Sequence, residues 1–403
     1  MKTTRKILFA VFLTACTFFF RQEESFGQGV WTQKADFGGG IRQLAVAFSI
    51  GTKGYVGTGY TGAYYQDFWE WDQATDTWTQ KANFGGIARY GAVGFSIGNK
   101  GYIGTGYDGV SNTKDFWEWN QATDTWTQKN DFGGGYRYSA VAFSIGAKGY
   151  IGTGMDSLGV SKQDFWEWDQ ATDTWTQKNI LPGGARYGAV GFSIGTKGYI
   201  GTGAMPFKQD FWEWDQATDA WIQKAVFGGS ARMWGTGFSI GAKGYIGTGT
   251  SGINAYTQDF WEWNQSTDSW AQKANFSGAA RASTVGFSIV AKGYIGTGSS
   301  NGSYKDFWEW DSTSATSVNE MAEENSVSVY PNPFCIETTI TLSKEVKNTL
   351  LKIYDLSGNE IKNINFSGKR TTVQREKLSI GIYFYQISSE NKTILSGKLM
   401  VSD

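Results

Sequence analysis

One five-residue block recurs six times along the chain. The block Asp-Phe-Trp-Glu-Trp occupies residues 67–71, 115–119, 164–168, 210–214, 259–263 and 306–310, so successive copies lie 46 to 49 residues apart. This period is typical of propeller blades and of solenoid repeats. Each unit holds four short segments with strand-like alternation, and the connections between them are too short for a helix. The repeat predicts six units of four antiparallel strands.

The repeat is offset at its two ends. A fourth-strand segment, Trp31-Thr32-Gln33-Lys34, precedes the first complete unit, and the last third-strand block, 306–310, has no fourth strand after it. We therefore expect residues 31–37 to supply the outermost strand of the sixth unit and to close a ring. Closure removes two exposed sheet edges, whereas an open solenoid would show capping repeats at its ends.

Composition supports this architecture and excludes several kinds of site. The 54 Gly residues suit many tight turns, and 27 Phe, 19 Trp and 20 Tyr residues can fill the space between sheets. The chain has no histidine, which removes imidazole as a general base or metal ligand. The formal net charge is −1 without a long basic run, so no nucleic-acid surface is expected. We expect no metal site and no cofactor.

Residues 31–311 resemble kelch repeats. In that family an aromatic third strand and a turn lead to a Trp that opens the fourth strand, as at Trp78, Trp126, Trp175, Trp221 and Trp270. The glycine pair that ends the family's second strand is Gly-Thr-Gly here, as at 104–106. The resemblance implies an all-β fold, a six-bladed kelch-type β-propeller over residues 28–311. Kelch propellers include the copper enzyme galactose oxidase, sialic-acid mutarotases and many protein-binding modules. The copper site of galactose oxidase cannot be carried over to this chain, because the chain has no histidine. The fold does not choose among the rest.

The composition changes after Trp310. Residues 312–326 are rich in Ser, Thr, Asn and Glu and are interpreted as a linker. From residue 327, alternating apolar residues and turns predict about seven short strands in a small sandwich. The blocks at 330–334, 351–360, 381–385 and 397–401 resemble the type A sorting domain of Bacteroidetes type IX secretion substrates. The resemblance implies that residues 327–403 form an immunoglobulin-like β-sandwich that engages the type IX secretion machinery and is usually removed after export. The chain would be secreted or held on the outer cell surface.

The N-terminus is typical of an export signal. A basic segment, residues 2–6, precedes an apolar stretch, 7–20, that is too short for an ordinary membrane span. Small residues before Gln28 favour cleavage there, so residues 1–27 are interpreted as a signal peptide for the Sec route. The alternative is lipidation at Cys16, because residues 13–16 resemble a lipobox. The other cysteine is Cys335, so cleavage would leave no internal disulfide.

Length varies between the units at one connection only. The loops between the second and third strands hold 7, 8, 9, 6, 9 and 7 residues, whereas the other connections keep their lengths. In a propeller these loops share a face with the connections between blades, and variable loops on a rigid frame often carry recognition. The candidate ligand-binding residues of this face are Tyr60, Tyr90, Tyr107, Tyr138, Tyr187 and Trp234. The alternative is that the loops are neutral insertions.

An arginine precedes the first strand of every unit. These residues are Arg42, Arg89, Arg137, Arg186, Arg232 and Arg281. Six guanidinium groups at this level could ring the mouth of the channel and bind an anion, which would favour an acidic sugar or an acidic peptide as ligand. Alternatively, each arginine pairs with an Asp or Glu of a third strand, and its presence in every unit favours this structural role.

These observations predict a binding module for a carbohydrate or a protein. The alternative is a histidine-independent carbohydrate-active enzyme of the sialic-acid mutarotase or lyase kind. The repeated third-strand Asp and Glu could in principle form an acid–base pair, but six equivalent copies favour architecture. The repeated turns such as 72–76 are interpreted as structural turns rather than calcium sites. No catalytic residue is assigned, and binding is favoured over catalysis.

Overall fold

The computed structural model describes residues 29–313, 327–356, 358–376, 378–389 and 392–402. The signal peptide expected at 1–27, with Cys16, and nearly all of the expected linker lie outside the described residues. Two compact units are present, Met1–Thr316 and Ser317–Asp403. Within the described ranges no helix is long and apolar enough to cross a membrane.

Six four-stranded antiparallel sheets form the blades of the first unit. The first strands are β2 Val46–Ile50, β6 Val93–Ile97, β10 Val141–Ile145, β14 Val190–Ile194, β18 Thr236–Ile240 and β22 Val285–Ile289. The second strands are β3 Lys53–Gly57, β7 Lys100–Gly104, β11 Lys148–Gly152, β15 Lys197–Gly201, β19 Lys243–Gly247 and β23 Lys292–Gly296. The third strands are β4 Phe68–Asp72, β8 Phe116–Asn120, β12 Phe165–Asp169, β16 Phe211–Asp215, β20 Phe260–Asn264 and β24 Phe307–Asp311. The fourth strands are β5 Thr77–Lys81, β9 Thr125–Lys129, β13 Thr174–Lys178, β17 Ala220–Gln223, β21 Ser269–Lys273 and β1 Val30–Lys34.

Adjacent blades pack through interlocking aromatic and glycine positions. In β6 the alternating residues Val93, Phe95 and Ile97 are buried, which is the period-2 pattern of a strand. The ring of Phe95 lies against Gly149 of the next blade, where a Cβ atom would come within 2.2 Å of it. The second strand of each blade carries glycine at this position. Each blade can therefore accept a Phe ring from its neighbour.

The ring closes between the two ends of the repeat. Strand β1 pairs with β24 from Val30↔Asp311 to Lys34↔Phe307, which is the pairing that the offset of the repeat predicts. The blade 6–blade 1 interface also has the same packing as the others, since Phe287 lies against Gly54. The propeller is therefore a closed ring of six blades in which β1 is the outermost strand of the sixth.

Polar side chains also link neighbouring blades. The Tyr102 hydroxyl donates to Glu118 at 2.9 Å and accepts from Gln170 of the next blade at 2.7 Å. Burial, followed by the contact with Glu118, raises the pKa of Tyr102 far above its usual value. Asp124 accepts hydrogen bonds from its own blade's Trp119 and, at 3.1 Å, from the backbone of Ala82 in the preceding connection. The turn Gln and the turn Asp thus join neighbouring blades, whereas the repeated Glu is held by the Tyr of its own blade.

The second unit is a five-stranded sheet. Its strands are β25 Val327–Tyr330, β26 Glu337–Tyr354, β27 Glu360–Gln374, β28 Gly381–Ser389 and β29 Lys392–Val401. The expected number was about seven short strands. It differs because β26 and β27 continue through register shifts between Thr341 and Thr349 where short strands would have ended. The first half of β26 pairs with β25 and the second with β28, and both halves contribute to one buried core.

Candidate functional site

The six repeated arginines lie inside the blades. Each side chain is at most 1% exposed and forms an ion pair with the Asp that begins the third-strand block of its own blade. In blade 2, Arg89 contacts both carboxylate oxygens of Asp115, at 2.6 and 2.8 Å. Its guanidinium also donates to the carbonyl of Thr105 at 2.8 Å and lies 4.9 Å from the ring centre of Phe84.

Asp115 is held in its charged form by this network. Burial alone would raise the pKa of Asp115, but hydrogen bonds from Arg89 and from the Trp117 indole outweigh burial, and the pKa lies below its usual value. Asp210 and Asp259 have lowered pKa values for the same reasons. The charges of these pairs are therefore compensated inside the blades.

This geometry does not support an anion-binding ring of arginines. A guanidinium that is buried and already bidentate to a carboxylate has no free face for a ligand. The structure instead shows the structural role, in which each arginine pairs with the Asp that begins the third-strand block of its own blade. The preference for an acidic sugar or acidic peptide, which depended on accessible arginines, loses its basis.

A closed cycle of backbone hydrogen bonds surrounds the channel mouth on the face of the variable loops, called here the loop face. One residue of each blade takes part, and its N–H group donates to the carbonyl of the equivalent residue in the preceding blade at 2.8 to 3.0 Å. These residues are Leu44, Gly91, Ser139, Gly188, Trp234 and Ser283, and all have positive φ values between 52° and 62°. They line a small cavity of about 100 Å³. Left-handed Leu and Trp are uncommon, so this rim holds local strain.

The five predicted tyrosines sit in equivalent positions beside this rim, whereas Trp234 belongs to the rim itself. In each blade the residue after the arginine forms a β-bridge with the first residue of the variable loop. The pairs in chain order are Gln43–Tyr60, Tyr90–Tyr107, Tyr138–Met155, Tyr187–Ala204, Met233–Thr250 and Ala282–Ser299. Blades 1 to 4 therefore present at least one tyrosine each at the same level, and blades 5 and 6 present none there.

These rings form one continuous chain of contacts, called here the aromatic arc. It consists of Tyr60, Tyr64, Tyr90, Tyr107, Tyr138, Tyr187 and Trp234. Successive ring centres along it are 5.1 to 6.5 Å apart. At its far end the Trp234 indole lies over Gly188, where a Cβ atom would come within 2.7 Å of it and φ is +59°. The structure thus brings all six predicted aromatic residues together.

A groove of about 520 Å³ opens on the arc between blades 2 and 3. Tyr90, Tyr107 and Tyr138 form part of its lining, together with residues of the two variable loops. Burial, followed by the neighbouring tyrosines, raises the pKa of Tyr90 to about 12. Its phenol is therefore a neutral hydrogen-bonding group over the physiological pH range. This volume is within the usual range for ligand pockets.

The arc region also contains residues beyond the six predicted aromatic ones, among them Tyr64 and Met155. Tyr64 contacts Tyr60, Tyr90 and Tyr107 and stacks on Tyr90 with an interplanar angle of 14°. Met155 lies in the groove wall, and its sulfur accepts a hydrogen bond from the Tyr138 hydroxyl at 3.4 Å. The signal for both was their position in a variable loop, but the contact of Tyr64 with the next blade depends on loop geometry.

The loop face outside the arginine pairs carries balanced charge. Apart from Lys224, which follows β17 and pairs with Glu213 and Asp268, its loops and blade connections contain four acidic residues, Asp36, Asp108, Asp131 and Asp156, and four basic residues, Lys114, Lys162, Lys208 and Lys305. Six of them form three ion pairs at 2.6 to 3.3 Å. Asp108 accepts hydrogen bonds from two backbone N–H groups of its own loop. No group of three or more metal-ligating side chains is found in the described part of the chain.

Comparison with known proteins supports both units. Residues 328–402 match the family model described as Secretion system C-terminal sorting domain. No curated protein matches the chain. A solved structure titled "Structure of YjhT" aligns with a TM-score of 0.58 at 17% identity, over 66% of this chain and 94% of that chain. At this identity the likeness shows the fold alone. The chain is a six-bladed β-propeller followed by a unit that matches a secretion sorting domain, which indicates export by type IX secretion to the cell surface or outside.

Proposed function

We propose that the propeller is a binding module that recognises a carbohydrate or protein ligand on its loop face. The observation that carries this proposal is the aromatic arc. Six blades share one repeat, yet the aromatic arc runs over blades 1 to 5 and is interrupted at blade 6, which has Ala282 and Ser299 at the matching positions. Packing of the blades does not require this asymmetry, because blade 6 keeps the same core without it.

The arc has the chemistry of a recognition surface. Its side chains are partly exposed, so their rings remain available to a ligand. Tyr and Trp are enriched at binding hot spots because they bury much apolar area and retain a polar group. The rigid ring of blades holds them in place, which lowers the entropy cost of binding.

The catalytic alternative has less support from the residues. The third-strand carboxylates that could serve as acid and base are engaged with structural partners: Asp115 with Arg89, and Glu118 with Tyr102 and Lys100. The Arg–Asp and Tyr–Glu contacts recur in all six blades. A binding role needs only the rings and hydroxyls that the loop face presents.

Removal of an arc ring should weaken binding without unfolding the propeller. We expect Tyr138→Ala and Trp234→Ala each to reduce affinity by roughly tenfold or more, as for interface hot spots. Binding of the full chain to a glycan array and to a displayed peptide library would be compared with circular dichroism melting. Tyr330→Ala, which removes an exposed ring from the second unit, is the control. Unchanged binding in both arc variants would contradict the proposal.

We further propose that residues 1–27 direct the chain through the Sec route and that residues 327–403 are removed after export. The sorting-domain match supports the second step, since such domains act as addresses. Mass spectrometry of the exported protein should find an N-terminus at Gln28 and a C-terminus within 312–326. An intact C-terminus on all exported material, or a lipid on Cys16, would contradict the corresponding step.

A further inference from the structure

Two exposed aliphatic residues, called here the lips, lie at the groove between blades 2 and 3: Val110 lines it, and Leu158 lies between the lining residues Ser157 and Gly159. Val110 in the loop of blade 2 and Leu158 in the loop of blade 3 are each 88% exposed, and both loops line the groove. The apolar rim continues around blades 4 and 5, where Met205 is 62% and Ile253 97% exposed. Loop tips of blades 1 and 6 are small or polar, with Thr61-Gly62-Ala63 and Ser300-Asn301-Gly302. The exposed aliphatic residues therefore lie on blades 2 to 5, four of the five blades that contribute to the aromatic arc.

Most polar groups around the groove already have partners within the protein. The Asn112 side chain donates to the carbonyl of Met155 at 3.0 Å, and the Tyr107 hydroxyl to the carbonyl of Gly109 at 3.2 Å. Asp156 pairs with Lys162 at 2.6 Å and accepts hydrogen bonds from the N–H groups of its own loop.

Few hydroxyls are left for a ligand. Among the described residues, those of Tyr90, Ser111 and Ser157 in this groove have no side-chain hydrogen bond within the protein. This shortage weighs against a sugar, because a sugar ring carries several hydroxyls and each one buried without a partner costs free energy. A protein segment has fewer polar groups per unit of buried area. Its apolar side chains would also cover Val110 and Leu158, which water otherwise surrounds.

We infer that the groove receives an uncharged, apolar anchor side chain of a protein segment, with the Tyr90 hydroxyl facing the segment's backbone. This inference rests on the proposed function of the loop face and names the ligand class. The charge of the loop face agrees with it, since four acidic residues balance four basic ones and six of the eight are paired. An electroneutral surface gives a charged partner no net attraction.

The test uses the full chain and a library of random linear peptides displayed on phage. Selected peptides would be synthesised and their affinities measured for the wild-type chain, Val110→Ser and Leu158→Ser. These side chains are almost fully exposed, so neither change should alter the melting temperature. The matched control is Ile222→Thr, which also removes an exposed aliphatic residue but lies on the outer strand β17, where other blades have Thr79, Thr127 and Thr176. A glycan array run in parallel provides the carbohydrate arm.

We expect selected peptides to share a large aliphatic or aromatic residue. Their affinity should fall about tenfold with either lip variant and stay unchanged with Ile222→Thr. Peptides that bind equally well to both lip variants would overturn the inference. Glycans that bind and are lost with Tyr138→Ala, without any selected peptide, would overturn the inference and leave the proposed function standing. Binding of neither peptides nor glycans would overturn both.

Discussion

Deletion of residues 30–37 should leave the propeller without a cooperative unfolding transition. The deletion removes β1, which pairs with β24 over five residues, and bares the edge of the sixth blade. It also removes two buried rings: Trp31, which packs 5.1 Å from Trp310, and Phe37, which packs 4.8 Å from Trp78 of blade 1. Loss of one such ring costs about 3–5 kcal/mol. The sum is comparable with a domain's total stability of about 5–15 kcal/mol.

Graded variants separate ring closure from the loss of chain length. Trp31→Ala keeps the strand but removes its buried ring, so we expect a smaller, measurable loss of stability. Gln33→Ala changes an exposed residue of the same strand and should have little effect. Differential scanning calorimetry would compare the three proteins. An unchanged melting temperature after the deletion would show that the ring does not depend on β1.

Much of the fold could be predicted because the same pattern of four short strands recurs six times in the sequence. The offset of the fourth-strand segment at residues 31–34 was enough to identify the strand that closes the ring. The strands of the second unit were harder to predict from the sequence. Its long strands β26 and β27 pass through register shifts, and alternation in the sequence does not distinguish a shift from the end of a strand.

The candidate site was predictable in its residues but not in its arrangement. Repeat-breaking positions after each arginine pointed to Tyr90, Tyr138 and Trp234, and variable loop lengths pointed to the face on which the structure places them. These rings form one arc through contacts between blades. A local sequence pattern does not predict such contacts. The arginines were ambiguous because Arg89 and Asp115 are 26 residues apart and both recur in every blade. Only burial of the guanidinium distinguishes an internal ion pair from an exposed cation.

Breaking one of these internal ion pairs should destabilise the propeller strongly. Asp115→Ala leaves the Arg89 guanidinium buried without its countercharge, and loss of one partner of a buried pair costs about 3–5 kcal/mol. The free energy of unfolding from chemical denaturation measures this loss. Lys114→Ala, which removes the neighbouring exposed pair with Asp131, is the control and should cost about 0–1 kcal/mol.

The double variant Arg89→Met, Asp115→Leu distinguishes charge from packing. If the cost of the single change comes from an uncompensated charge, replacing both groups by apolar side chains should recover much of the stability. The pH dependence gives a second readout. The pKa of Asp115 is lowered in the folded state, so its contribution is present above the unfolded pKa, about 3.9, and is lost as pH falls through the folded value. The stability difference between wild type and Asp115→Ala should therefore shrink below about pH 4. A double variant as unstable as the sum of its singles, with a difference independent of pH, would mean that the pair contributes through shape alone.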